Sequence, residues 1–389
     1  MIIDCDTQVI PRDAFDYLGK EFAALRPVFH FDDKGHYWHC DFPGRPEEVP
    51  GTTPLPGIRG AGTDFDGMCD MEARLEDFAK LGVDMQVIGP QFTGWWSYLI
   101  QPELATAMAR SHNLAVLNIM REYPGKFIGA ALVALQDVNG AIREMEWARD
   151  QVFKTVILDF TYPVREHPFG ETLGSHRELW PFFKRAEEME MPILFHAVQH
   201  GHRLVNALKF QKEGLDFLAP IDGHMNLASL ITSGLLDDFP KLKVIHTESG
   251  TAWIKSFVQR MDRQFERPSV NYDDENPTPR GKRRVQERAK QVVPPEVSSE
   301  KNKLPPSDYF RRNFYFTIET EEPELSEAIE FLGAEHFLFA TDYPHDDPGG
   351  RMKFKDVELL QANRKISETD KELIRWENAK RVFTIRSYN

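Results

Sequence analysis

Apolar and polar positions along the chain sort into short apolar runs separated by longer stretches with helical spacing. The runs Ile2–Asp4, Met85–Ile88, Phe127–Leu135, Thr155–Leu158, Pro192–His196, Lys243–His246, Asn313–Ile318 and His336–Thr341 read as strands. Between them, Met71–Leu81, Pro102–Glu122, Ala141–Gln151, His176–Glu190, Met225–Leu235, Thr251–Phe265, Glu324–Leu332 and Glu368–Phe383 read as amphipathic helices. Strands that alternate with helices imply parallel pairing through right-handed crossovers. Eight such units fit a closed (β/α)8 TIM barrel better than an open doubly wound sheet, the alternative that strand counting leaves open. The expected organisation is one barrel domain over 1–389, with insertions near 30–65 and at 267–308. The first insertion is rich in Pro and Gly, carries Tyr37, Trp38 and His39, and is a candidate cap over the barrel mouth. The second is rich in Pro, Ser and charge, including Lys282, Arg283, Arg284 and Lys290, and reads as a solvated loop, with a lid or oligomer arm as the sharper alternative.

Composition narrows the partners. The chain has 389 residues, 41% of them hydrophobic, enough for a large core. Lys and Arg total 47 against 61 Asp and Glu, a formal net charge of −14 that repels phosphate and argues against nucleic-acid or anionic-membrane binding. Three cysteines, Cys5, Cys40 and Cys69, do not make a disulfide scaffold. The opening MIIDCDTQVIP lacks the basic-then-apolar pattern of a signal peptide, and no apolar run reaches the length of a membrane span. The expectation is a soluble, cytoplasmic protein.

Barrels of this class place their chemistry at the C-terminal ends of the strands. Here the first run ends in Asp4-Cys5-Asp6-Thr7-Gln8, the fifth in Phe195-His196, the sixth in Ile245-His246-Thr247-Glu248 and the eighth in Thr341-Asp342-Tyr343-Pro344-His345. Each has a plain structural reading on its own. Asp6 suits a turn, His196 a satisfied rim histidine, Asp342 the turn before Pro344, and His246 with Glu248 a structural pair. Their joint occurrence at four strand ends changes the picture. Asp6, His196 and Asp342 together supply two carboxylates and an imidazole, a donor set for one divalent cation.

IDCDTQ at the start, ILFHA at 193–197, VIHTESGTAWI at 244–254, FATDYPH at 339–345 and ENAKRVF at 377–383 occur in an order that resembles the amidohydrolase superfamily. The likeness is to the branch of aminocarboxymuconate-semialdehyde decarboxylase and the γ-resorcylate-type decarboxylases. It implies one divalent metal ion, Mn2+ or Zn2+ first and Mg2+ as a further option, with Asp6, Gln8, His196 and Asp342 as the ligand positions. The first strand departs from the family's pattern: Gln8 stands where members carry His. A Gln carbonyl is a weaker, harder ligand than imidazole and leans the site toward harder ions. The resemblance further implies non-oxidative decarboxylation of a small aromatic or enoic carboxylic acid, with Asp342 as proton donor and His246 polarising the substrate. Metal-dependent hydrolysis or hydration would use the same residues, and a metal-free binding protein is the reading outside enzymology. Candidates for substrate contact are Trp95, beside Trp96, for ring stacking, and His200, Arg203 and Glu248, Arg203 as a bidentate carboxylate partner. His202, His224 and His345 are further candidates. The resemblance also implies a homodimer or homotetramer.

Overall fold

The computed structural model describes residues 1–31, 33, 37–41, 43, 66–91, 99, 101–164, 167–196, 213–266, 302–345 and 355–385. Eight parallel strands follow one another around a barrel: β1 (Ile3–Val9), β2 (Met85–Pro90), β3 (Phe127–Leu132), β4 (Thr155–Asp159), β5 (Ile193–His196), β6 (Val244–His246), β7 (Phe314–Thr317) and β8 (Phe337–Leu338). Helices α1 (Met71–Leu81), α2 (Pro102–Glu122), α3 (Val138–Asp150), α4 (Trp180–Glu188), α5 (Glu213–Thr232), α6 (Trp253–Glu266) and α7 (Leu325–Leu332) lie between them. An eighth, α8, is built from Glu368–Glu372, a π-helical turn Leu373–Glu377 and Asn378–Val382 in succession. The eight-strand expectation and the TIM barrel therefore hold.

Local chemistry sets the helix ends. Asp70 caps α1 by accepting from the Glu72 and Ala73 amides, and Gly82 stops it in the left-handed region at φ 72°. Asp137 caps α3 through the Gly140 amide. Strand alternation divides the core in two. Cys5, Val87, Ala130, Ile157, Leu194, Ile245 and Leu338 pack inside the barrel, whereas Val156, Leu158, Ile193, Phe195, Val244 and Phe316 pack against the helices. Each fully buried Phe or Ile contributes roughly 1.5–3 kcal/mol.

The seam between β8 and β1 closes differently from the other pairs. β8 is short because the Phe339 amide donates to Ile374 O in α8 (3.1 Å). The chain still reaches β1 through Cys5 N→Phe339 O (2.8 Å), Gln8 N→Tyr343 O (2.9 Å) and the Thr7–Tyr343 bridge. Between these bonds a side chain replaces the ladder: the Asp4 carboxylate accepts from the Thr341 hydroxyl (2.6 Å) and amide (3.1 Å).

Other features depart from the expectation. Two antiparallel hairpins, Val28–Phe31 with Tyr37–Asp41 and Thr161–Val164 with His167–Thr172, were not legible as strands. The first occupies the start of the 30–65 excursion, most of which lies outside the described residues. Of the 267–308 segment, 267–301 lie outside them, and its end opens the helix Pro306–Asn313. Among the described residues no helix is long and apolar enough to cross a membrane.

Candidate active site

Simple alternation from Ile3 and Cys5 would turn Asp6 away from the barrel axis. The register of β1 against β2 shifts between Asp4 and Thr7: Asp4 pairs with Gln86, but Thr7 pairs with Ile88. One extra residue is thus accommodated, and after this bulge Asp6 and Gln8 face inward beside Cys5. On β5 Leu194 and His196 face inward, and the side chains of the two strands meet inside the barrel. The Gln8 amide nitrogen lies 2.8 Å from His196 Nε2 and donates to Asp6 Oδ1 at 3.2 Å. His196 Nε2 is 3.5 Å from Asp6 Oδ1. Because the amide N–H donates, His196 Nε2 presents its lone pair toward Gln8. The amide oxygen Gln8 Oε1 is buried without a hydrogen-bond partner.

Burial raises the Asp6 carboxyl to about 7, the neighbouring carboxylates of Asp342 and Asp4 push the same way, and His196 and the Thr247 hydroxyl pull against them. Asp342 thus lies close enough to Asp6 to share its field. Asp6 and His196, from β1 and β5, meet above a crevice lined by Cys5, Val87, Ala130, Ile157 and Leu194.

The sixth strand contributes through its loop. Ile245 faces inward, so His246 faces the helix layer, stacked on Phe160 (ring centroids 4.6 Å apart) and near Trp253 and Phe316. Burial, with His224 nearby, lowers its pKa to about 3, so it is a neutral ring there at physiological pH. The side chain that faces inward at this level is Thr247, which reaches Asp6 and bonds Phe195 O at 3.2 Å. Glu248 follows, with Oε2 3.6 Å from His196 Nε2. Its φ is 53°, and Asp342 has φ 54°. Two non-glycine residues in the left-handed region at one site hold strain of order 1–3 kcal/mol each, which surrounding contacts must offset. Glu322 ties down the loop after Glu248 by accepting from the Thr251 (2.7 Å) and Ala252 (2.7 Å) amides.

Beyond β8, His345 Nδ1 lies 2.8 Å from Asp342 Oδ1, and its Nε2 is 2.7 Å from the Gln91 amide nitrogen. Glu248, Asp342 and His345 bring one donor atom each within 4.8 Å of one another. Beneath the site runs a buried polar network. Arg74, fully buried, donates to Gln86 Oε1 (2.8 Å), Gln8 O (2.8 Å) and Gly67 O (3.0 Å), and its guanidinium sits 4.7 Å from the Tyr343 ring centroid. Tyr343 donates to Asp77 (2.7 Å).

The structure therefore brings Asp6, Gln8, His196, Glu248 and Asp342 together and points His246 the other way. Trp95, His200 and Arg203, with His202, lie outside the described residues. Sequence reasoning passed over Thr247 and Gln91. Thr247 was available from the alternation of β6, two positions past Ile245; Gln91, just past β2, carried no local signal.

The amidohydrolase family profile matches residues 3–385, nearly the whole chain. The chain belongs to the amidohydrolase family. Among its curated relatives are 2-amino-3-carboxymuconate-6-semialdehyde decarboxylase of Dictyostelium discoideum and a γ-resorcylate decarboxylase of Polaromonas. The first is 21% identical over 81% of this chain and 77% of that protein; the second is 23% identical over 72% and 77%. The structure of 5-carboxyvanillate decarboxylase from Novosphingobium aromaticivorans, solved with bound manganese and a nitrobenzoic acid, superposes with a TM-score of 0.72. It is 19% identical and covers 99% of this chain and 97% of that one. The chain is accordingly an enzyme of this superfamily.

The donor set fits a divalent cation on its own terms. His196 Nε2 offers a lone pair, Asp6 and Asp342 offer charge, and the unpartnered Gln8 Oε1 becomes a ligand if the amide rotates.

Proposed function

We propose that this protein is a metal-dependent, non-oxidative decarboxylase of a small aromatic carboxylic acid. The observation that supports the reading is the chain of donors at one rim: Asp6 Oδ1 lies 3.5 Å and Glu248 Oε2 3.6 Å from His196 Nε2, and Glu248 groups in turn with Asp342 and His345. The likeness to curated decarboxylases over most of the chain supports it. Asp6, His196 and Asp342, with Gln8, would hold the cation; Mn2+ is the first expectation, since the donors are mostly oxygen and a neighbour of like fold holds manganese. When bound, the cation acts as a Lewis acid and template for the substrate's carboxylate and a neighbouring oxygen.

The chain's own groups supply the rest. Asp342 delivers a proton to the ring carbon that bears the carboxylate. The bond from that carbon to the carboxylate then breaks, its electron pair returns to the ring, and carbon dioxide leaves. His345, bonded to Asp342 through Nδ1, orients the carboxyl and returns its proton. Thr247 holds Asp6 in place. His246 acts from the helix side of β6, as packing that fixes the strand end.

The test is to incubate the Mn2+-loaded protein with γ-resorcylate, 5-carboxyvanillate and related hydroxybenzoates and follow carbon dioxide release. Turnover of at least one hydroxybenzoate supports the reading. Hydrolysis of lactones or esters without any decarboxylation would replace it with metal-assisted hydrolysis.

A further inference from the structure

The weak point of the donor set is Gln8, and the structure holds a carboxylate placed to offset it. Glu248 leaves β6 in the left-handed conformation, φ 53°, and this backbone turn brings its carboxylate over the barrel mouth. Its Oε2 stands 3.6 Å from His196 Nε2; Asp6 Oδ1 stands 3.5 Å from the same nitrogen. Donor atoms that share one cation at about 2.1 Å lie roughly 3–3.5 Å apart, so Glu248 Oε2 stands at about the distance from His196 Nε2 that a second ligand would take. Glu248 and Asp342 also come within 4.8 Å through their oxygens.

His345 belongs to the same cluster but is engaged at both ring nitrogens, Nδ1 with Asp342 and Nε2 with Gln91. That arrangement suits a group that orients Asp342, and it leaves Glu248 as the added ligand. A second observation points to an ion here independently of the acidic cluster. The Gln8 side chain is buried, 1% exposed, and its Oε1 has no hydrogen-bond partner. Its NH2 end meanwhile lies between His196 Nε2 and Asp6 Oδ1, donating to the atoms that would face a cation.

We propose that Glu248 is a direct ligand of the divalent cation, contributing from β6 the strong donor that Gln8 does not supply from β1. This rests on the metal-dependent reading above. With Asp6, Glu248 and Asp342 the site carries three carboxylates and one imidazole, which favours Mn2+ or Mg2+ over Zn2+.

The test is Mn2+ titration of the purified full chain by electron paramagnetic resonance, with Glu248→Gln, Glu248→Asn and the exposed control Glu330→Gln. Gln keeps the length of Glu, while Asn suits the left-handed backbone and is too short to reach the ion. Circular dichroism and thermal unfolding check each fold. The expected result is Mn2+ affinity weakened roughly tenfold or more in both Glu248 variants and unchanged in the control. Wild-type affinity in either folded Glu248 variant overturns the proposal while leaving the metal-dependent reading intact. A wild-type chain that binds no Mn2+ overturns both.

Discussion

Arg74→Met probes whether the buried network under the barrel mouth holds the site together. Arg74 makes three hydrogen bonds, to Gln86 Oε1, Gln8 O and Gly67 O, and stacks over Tyr343. Hydrogen bonds from a charged donor are worth roughly 1.5–3 kcal/mol each, so about 5–9 kcal/mol of interaction is removed. Against this, burial already costs the cation: it pulls the Arg74 pKa from 12.5 down to about 10, equivalent to about 3 kcal/mol. Methionine fills most of the volume without that cost. The balance is a net loss of about 2–6 kcal/mol, which corresponds to a fall in Tm of about 2–7 °C at ~2.1 cal/mol/K per residue. Calorimetry on the metal-free protein reads this directly. Because Gln8 O is one of the three acceptors and Tyr343 adjoins Asp342, Mn2+ affinity should drop in the same variant. A variant as stable as wild type, with unchanged Mn2+ affinity, would refute the view that Arg74 positions the strand ends.

Asp342→Asn should keep the fold and lose turnover by ~10²–10⁴-fold, the range for a general acid; retained turnover removes it from the chemistry. Gln8→His should tighten Zn2+ binding by roughly tenfold or more, because an imidazole replaces a carbonyl; a competitive chelator titration showing no change places position 8 outside the ion's reach. His112, buried in α2, has its pKa lowered from 6.5 to about 4 by burial. The unfolded chain therefore takes up a proton at this residue between pH 6.5 and 4 that the folded chain refuses. Its contribution is full above pH 6.5 and declines toward pH 4 by up to about 3 kcal/mol. His112→Phe should flatten this slope; denaturant midpoints at pH 7 and pH 4.5 that fall in parallel for both proteins contradict it.

The barrel was legible because each strand and helix declares its period locally, and the strand-end residues Asp6, His196, Glu248 and Asp342 follow from the fold's rule that chemistry sits at one rim. What the pattern could not show depends on register. The extra residue between Asp4 and Thr7 decides that Asp6 faces inward, and nothing in IDCDTQ marks a bulge. The outward turn of His246 follows from Ile245 facing inward, a fact of barrel packing and not of spacing. Arg74 lies on a helix of amphipathic spacing, where a cation is expected to face solvent, yet it is fully buried beneath the site, because its partners come from β1, β2 and the turn before α1. The two hairpins were missed for a similar reason: they pair only with themselves and add no strand to the barrel.

The central claim is that the rim side chains grip one cation. X-ray diffraction at the manganese absorption edge from crystals grown with Mn2+ tests it directly. The account predicts an anomalous peak within bonding distance of Asp6, His196 and Asp342, with the Gln8 amide no longer donating to His196. Manganese-replete crystals with no peak there, and the Gln8–His196 contact intact, would contradict it.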